Sequence, residues 1–363
     1  MAKTNVNREL VVTTMDRRPA GRVLGWVTFL FIAVVGLALV KWVPYYHKGL
    51  HAAASHSIGT SILMGDAAQP PAPSVRAAVD YAVAYGNAIW KAMVLGLLLG
   101  SAVQVLLPRH WISSRLANCG LRSVILGGVL SLPSMMCTCC AAPVVAGLRE
   151  CRAASGSAVA FWLGNTVLNP ATLIFTGFVL GWHWSALRLA IGLIMVFGLG
   201  WLVSGMAGPA ENIRVEQVST PRDAEEPREV SIARWLITFG RMSARLVPEF
   251  VVLVLVLGAV RAWLFPHVGH DVDNSIPWIL AFAAAGAVFV IPTAGEVPIV
   301  QAMLALGVGV GPAGALLMTL APVSVPSVAM LWGTFGPRTL CLVSIGVIVL
   351  GCAGGIAATW LFA

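Results

Sequence analysis

The sequence predicts an all-α polytopic membrane protein. We expect an inverted repeat in which each half contains a re-entrant or broken-helix hairpin, preceded by an extra N-terminal transmembrane helix. Hydrophobic residues fill 58% of the 363 positions and charged residues only 10%, whereas a soluble domain carries about 25% charged residues. Several apolar runs reach the ~20 residues that a membrane-crossing helix needs. Prolines also recur at nearly equal separations in the two halves of the chain.

The N-terminal region is predicted to contain one helix outside the repeat. Residues 1–22 end in arginines that directly precede the apolar run Val23–Val40, and basic residues favour the cytoplasmic side of a membrane. That run exceeds the ~7–15 residues of a signal-peptide core, so we expect an uncleaved transmembrane helix over residues 23–43. Residues 44–84, rich in histidine and proline, are expected to form a partly irregular external loop.

The rest of the chain is predicted to form two permease repeats, residues 85–206 and 247–363, joined by a cytoplasmic linker over residues 207–246. Each half is expected to contain one span, one segment that dips into the membrane and returns, and two further spans. The dipping segments are Leu121–Leu148 and Pro277–Leu306. The full spans are expected at Gly86–Leu107, Ser157–Leu180, Ser185–Met206, Val247–Phe265, Gly311–Trp332 and Thr339–Leu361.

The positions of the arginines indicate whether Leu121–Leu148 crosses the membrane or enters it and returns to the same side. If Leu121–Leu148 crossed the membrane fully, Arg149, Arg152 and the arginine-rich linker would all lie outside. If the segment returns to the side from which it entered, these residues become cytoplasmic, as basic loops usually are. Mid-segment prolines are consistent with broken helices, because proline removes a helical hydrogen bond. The predicted structural hinges are Pro133, Pro143, Pro170, Pro292, Pro298 and Pro326.

An internal repeat supports the same topology. Pro143 and Pro298 are 155 residues apart, and Pro170 and Pro326 are 156 residues apart. Three full crossings per half is an odd number, so the two halves would be inverted relative to each other. Inverted repeats with broken helices that meet at the membrane midplane are typical of secondary transporters.

Three cysteines in the first hairpin are the leading candidates for substrate contact. Cys137, Cys139 and Cys140 lie between Pro133 and Pro143, and thiolates bind soft, thiophilic centres. A closed zinc site is not expected, because the usual two separated ligand pairs are absent. We therefore predict no resident metal or cofactor. The alternative is that these small side chains only let two half-helices pack closely.

Glu296, Asn165 and Asn169 complete the predicted site. By the repeat, Glu296 falls opposite Ala141 beside the cysteines, and an acid at membrane depth is a functional candidate. It would either bind a proton and couple it to substrate movement, or hydrogen-bond backbone amides freed at the helix break. Asn165 and Asn169 would either line a pathway or satisfy carbonyls released by nearby prolines.

The residues of both hairpins resemble the predicted permeases of the ArsP/YraQ type. The resemblance is carried by Cys137–Pro143, by Phe161–Ala171 with its Asn-Pro step, and by Gly295–Pro298 in the second half. It covers about residues 85–361 and leaves the first helix outside. Family members with an assigned role export trivalent organoarsenicals, and the resemblance implies the same activity here.

By position, the resemblance makes Cys137, Cys139 and Cys140 the thiol contacts. Where family members often have a single Cys-Ser-Cys, this chain has Thr138 and the additional Cys140, which leaves other thiophilic or sulfur-containing solutes open.

These observations predict a membrane permease that exports a thiophilic small solute, most simply a trivalent organoarsenical or a related metal or metalloid species. Its partners would be that solute and the bilayer of the inner (plasma) membrane, with proton coupling through Glu296. One alternative is uptake of a small sulfur-containing anion, and another is a membrane thiol oxidoreductase. The net charge of +8 does not indicate nucleic-acid binding, because the arginines lie in loops beside apolar spans. No phosphate-binding glycine loop is present, and we do not expect an enzyme.

Overall fold

The computed structural model describes residues 18–63, 71–206, 232–265 and 269–362. Within these ranges the protein is helical and contains no β-strand. Six helices there are long and apolar enough to cross a membrane. The prediction of an all-α polytopic membrane protein is therefore confirmed. The spans are Gly25–Ser55, Val75–Val105, Ser155–Val179, Trp182–Met206, Ile232–Leu264 and Val325–Phe362.

Fifteen helices occupy the described residues, and π-helical turns at Ala38–Trp42 and Ile194–Gly198 join two pairs of them. They are α1 (Arg18–Leu37), α2 (Val43–Ser55), α3 (Val75–Val105), α4 (Arg109–Leu116), α5 (Leu121–Ser131), α6 (Thr138–Glu150), α7 (Ser155–Val167), α8 (Pro170–Val179), α9 (Trp182–Leu193), α10 (Leu199–Met206), α11 (Ile232–Leu264), α12 (Ile276–Val288), α13 (Glu296–Ala305), α14 (Val310–Thr319) and α15 (Val325–Phe362).

Several helices extend beyond the bounds expected from hydropathy. The first helix continues as α2 to Ser55, and α3 begins at Val75, so much of the region expected to be an external loop is helical. Ser74 caps α3 by accepting a hydrogen bond from the Ala77 amide at 3.0 Å. In the second half, α11 begins at Ile232, within the range expected for the linker. Residues 207–231 of that linker lie outside the described residues.

Both segments expected to dip into the membrane are pairs of short helices. A non-helical stretch, Leu132–Cys137, separates α5 from α6, and Phe289–Gly295 separates α12 from α13. We call these stretches the first break and the second break. Met135 in the first break has φ 46° and Ala294 in the second has φ 66°, a left-handed conformation that non-glycine residues rarely adopt. The chain therefore turns sharply in both.

The predicted hinge prolines occupy three kinds of position. Pro133 and Pro292 lie within the two breaks, and Pro170 is the first residue of α8, where a missing amide proton costs little. Pro298 and Pro326 also lie in the first turns of their helices. Pro143 differs from the expectation, because α6 continues through it. Proline removes one hydrogen bond there without ending the helix.

The order of a long helix, a first broken pair and a second broken pair occurs twice. It is formed by α3, α5–α6 and α7–α8, and again by α11, α12–α13 and α14–α15, where α15 bends at Gly336 (φ 75°). The α7–α8 span is the most enclosed, with 83% of its apolar window buried. Helix α3 packs against α6 and α11, and α14 packs against α12 and α15. The orientation of the halves in the membrane, and hence the inverted relation, stays a prediction.

Candidate functional site

The two breaks and the junction between α7 and α8 border a small, partly open cavity. Cys137 contributes from the first break, Thr293 from the second break and Glu296 from the start of α13. Thr166 and Thr172 contribute from α7 and α8. Two residues predicted from separate halves of the sequence, Cys137 and Glu296, thus line one cavity.

The three predicted thiols divide into a pair and a single residue. Cys137 directly precedes the first residue of α6, and its Sγ lies 2.8 Å from the Sγ of Cys140, one helical turn further along. Cys139 instead lies 3.8 Å from the hydroxyl oxygens of both Thr138 and Ser324. All three cysteines are buried. The thiols of Cys137 and Cys140 thus form a pair in which Cys137 lines the cavity and Cys140 lies behind it, and Cys139 is turned towards α15.

Glu296, the first residue of α13, forms a buried ion pair with Arg188 of α9. The Arg188 Nη2 and Glu296 Oε1 atoms are 2.6 Å apart, and the side chains are only 1% and 2% exposed. Such a short charge-assisted contact is among the stronger hydrogen bonds. Arg188 is not among the residues predicted from the sequence, although its position inside the expected span Ser185–Met206 is a signal that could have revealed it.

Arg188 also donates to backbone carbonyls at the carboxyl ends of two other helices. Its guanidinium lies 3.1 Å from the Thr166 oxygen and 3.5 Å from the Val167 oxygen at the end of α7. It lies 3.4 Å from the Leu317 oxygen near the end of α14. Terminal carbonyls have no partner within their own helix. One arginine therefore satisfies both helix ends and joins the first half of the chain to the second.

The two predicted asparagines have different contacts. The Asn169 Oδ1 accepts hydrogen bonds from the Ala171 and Thr172 amides at 3.0 and 3.4 Å, which caps α8. Its Nδ2 is buried without a hydrogen-bond partner among the described residues, as is the Thr172 hydroxyl that lines the cavity. Asn165 is fully satisfied, because it donates to the Phe161 oxygen at 2.8 Å and accepts from Ser134 in the first break.

The first helix reaches both breaks with adjacent side chains from its π-helical turn. Trp42 Nε1 donates to the Pro133 carbonyl oxygen at 2.8 Å. The Lys41 Nζ lies 3.2 Å from the Thr293 hydroxyl and 3.1 Å from the Tyr45 hydroxyl. Neither residue is predicted from the sequence. The available signal is a lysine inside the predicted helix over residues 23–43, followed directly by further apolar and aromatic residues.

Apolar helices long enough to cross a membrane, with breaks that border a small cavity, are typical of a membrane permease. The chain matches the family model described as a predicted permease over residues 24–172 and 74–359, and it belongs to that family. The resemblance seen in the hairpin residues is thus confirmed. The match begins at residue 24, so the first helix lies within it and not outside as the hairpin motifs suggested.

Two curated relatives are similar to this chain. It is 48% identical to the UPF0718 protein YraQ of Escherichia coli K12 over 330 residues, which cover 91% of this chain and 93% of the relative. It is 31% identical to the UPF0718 protein MJ0584 of Methanocaldococcus jannaschii over 128 residues, 34% of each chain. No solved structure matches the chain.

Proposed function

We propose that this permease is a secondary transporter of the inner (plasma) membrane that exports a thiophilic small solute, with trivalent organoarsenicals as the leading candidates. The observation that carries the proposal is the 2.8 Å separation of the Cys137 and Cys140 sulfurs, with Cys137 lining the cavity. Two thiols exchange with an organoarsenous acid, R–As(OH)2, to form two As–S bonds and release two water molecules. The reaction reverses when water returns, so the bound solute can be released.

The fold supports transport by alternating access. The repeated order of one long helix and two broken pairs supports two halves inverted in the membrane, with residues 1–22 and the linker in the cytoplasm. In transporters of this kind the substrate site lies between the repeats, near the bilayer midplane. The cavity between the two breaks has that position if both broken pairs dip into the membrane from opposite faces.

The Arg188–Glu296 pair suits a coupling role. A proton on Glu296 would remove the carboxylate charge that holds Arg188, and the link between α9 and α13 would weaken. Arg188 would keep its bonds to the carbonyls of α7 and α14. Movement of α13 relative to α9 is therefore the step that we assign to proton coupling.

Single substitutions of the three cysteines test the proposal with an internal control. In everted membrane vesicles supplied with a trivalent organoarsenical in the external medium, Cys137→Ser and Cys140→Ser should each reduce uptake by at least about tenfold, which corresponds to about 1.4 kcal/mol. Cys139→Ser removes a thiol from the same helix but not from the pair, and transport should stay within about twofold of the wild-type rate. Unaltered transport in both pair variants would exclude the thiol-contact mechanism.

A membrane thiol oxidoreductase is the second candidate, because the Cys137–Cys140 spacing and sulfur separation would also suit a reversible disulfide. It predicts a loss of two hydrogens between these residues when a membrane oxidant such as a quinone accepts their electrons. Alkylation followed by mass measurement, with and without oxidant, distinguishes the candidates. A transporter should keep both thiols alkylatable throughout its cycle once the solute is removed.

A further inference from the structure

Lys41 is a buried cation on an otherwise peripheral helix. Only 11% of the apolar window in the Gly25–Ser55 span is buried, yet Lys41 is just 4% exposed. It is also the buried residue of the π-helical turn Ala38–Trp42. Turns of this type often mark functional sites within helices. The first helix thus sends one charged side chain inwards to the two breaks.

The contacts of Lys41 do not neutralise its charge. The Nζ lies within hydrogen-bond distance of two hydroxyl groups, those of Tyr45 and Thr293, and 5.1 Å from the centre of the Tyr45 ring. No carboxylate pairs with it among the described residues. Glu296, the acid of the cavity, is paired with Arg188. The site as described therefore carries one uncompensated positive charge. A buried ammonium group without a counter-charge is costly.

Lys41 lies one hydrogen bond away from the cavity, through the hydroxyl of Thr293. Its hydrogen-bond partner Thr293 lines the cavity together with Cys137 and Glu296. Lys48 lies two helical turns further along the same helix, on the same face. It is partly buried. The first helix therefore carries two lysines on one face, and Lys41 on that face reaches a residue that lines the cavity.

We infer that Lys41 is a substrate-recognition residue, and that the solute held at the Cys137–Cys140 pair carries a negative charge which pairs with the Lys41 ammonium group. The inference rests on the proposed function for the thiol contact and narrows its substrate class. The favoured solutes are small anions with a thiophilic atom, such as a trivalent arsenical that also bears a carboxylate.

Two arsenicals that differ by one carboxylate provide the test. The full-length protein in liposomes is assayed for transport of phenylarsine oxide, which is neutral, and of its para-carboxylate derivative, which is an anion. Both offer the same arsenic atom to the thiols. The wild-type protein should prefer the carboxylate derivative over the neutral compound.

Substitutions of Lys41 separate charge recognition from a structural role. Lys41→Gln keeps a donor for Thr293 but removes the charge, and it should lower transport of the anionic arsenical by about tenfold while the neutral arsenical changes less than about twofold. Lys41→Arg keeps the charge and should retain the preference for the anion. Lys91→Gln, at an exposed lysine of α3, is the control for charge removal outside the site.

Three results would overturn the inference. The first is an equal loss of transport of both arsenicals in Lys41→Gln, and the second is no loss of transport for either. The third is slower alkylation of Cys137 in Lys41→Gln while the preference for the anion is unchanged. The last would mean that the ammonium serves the thiols and not the solute. The proposed function fails separately, if Cys137→Ser and Cys140→Ser transport both arsenicals at the wild-type rate while the preference for the anion persists.

Discussion

Arg188 and Glu296 are joined by a 2.6 Å contact that buries both charges almost completely and links α9 of the first half to α13 of the second. Removing one member of such a pair leaves an uncompensated buried charge, which typically costs about 3–5 kcal/mol. Removing both members together costs less, because neither charge is then left alone. The pair is therefore a test of how the halves are held together.

We expect Arg188→Met and Glu296→Met each to lower the thermal unfolding temperature of the detergent-solubilised protein strongly. The double variant should recover part of that loss. Arg188→Met should be the more harmful single change, because it also leaves carbonyls at the ends of α7 and α14 without a donor. If the double variant loses as much stability as the two single variants added together, the two residues stabilise the fold independently.

Gly96 of α3 faces the carbonyl oxygen of Cys140 so closely that a Cβ atom would overlap it. Gly96→Ala should push α6 away from α3, at a cost of about 1–3 kcal/mol, and should disturb the Cys137–Cys140 pair. Gly86, on the same helix, has nothing within 4 Å of its Cβ position. Gly86→Ala should therefore be neutral or stabilising by about 0.4–1 kcal/mol. Thermal unfolding and the rate of solute transport measure both effects.

A comparable loss of stability in the Gly86 and Gly96 variants would show that α3 tolerates no added methyl group anywhere. Transport that survives Gly96→Ala unchanged would argue that the spacing between α3 and α6 does not position the thiols.

The hairpin residues stand out in the sequence because they depart locally from its apolar pattern. Cysteines between prolines, and a glutamate in an apolar run, contradict the pattern of a plain membrane span. This contradiction points to Cys137 and Glu296, which line one cavity in the structure. Sequence spacing could not show that Cys140 pairs with Cys137 while Cys139 faces Ser324, because that depends on the exact start of α6.

Arg188 and Lys41 were not selected because each sits in or beside an apolar run with ordinary flanking residues. Their partners are more than 100 positions away in the sequence: Arg188 and Glu296 are separated by 108 residues, and Lys41 and Thr293 by 252. Hydropathy also shortens amphipathic helices, because polar residues such as Arg76 and Asp80 lower the local average. Hydropathy therefore predicts a start for α3 that is too late in the sequence.

Trp42 holds the first break through a single hydrogen bond from its indole to the Pro133 carbonyl oxygen. Trp42→Phe keeps an aromatic ring but removes the donor, and we expect a loss of about 0.5–1.5 kcal/mol. Because the bond anchors the break that ends at Cys137, the Cys137 thiol should also react faster with a small alkylating reagent. Trp90→Phe, at an exposed tryptophan of α3, is the control and should alter neither quantity.

Substitutions of Asn169 can separate a structural contribution from a functional one, because its two polar side-chain atoms have different contacts. The Oδ1 caps α8, whereas the Nδ2 is buried without a partner among the described residues. Asn169→Ala should lose the cap at a cost of about 1 kcal/mol. Asn169→Ser keeps an oxygen that can cap the helix and removes the unsatisfied amide group, so its unfolding temperature should equal or exceed that of the wild type.

The transport rate of Asn169→Ser shows whether the unpaired Nδ2 group contributes to function. If the Nδ2 is reserved for a solute or for water in the cavity, Asn169→Ser should transport more slowly than the wild type even though it is at least as stable. Buried donors without partners are rare and costly in folded proteins, so a stable variant with reduced transport would show that the cost is retained for binding. A stable variant with unchanged transport would instead assign Asn169 to the helix cap alone, and the predicted pathway would then pass on the Thr172 side of the cavity.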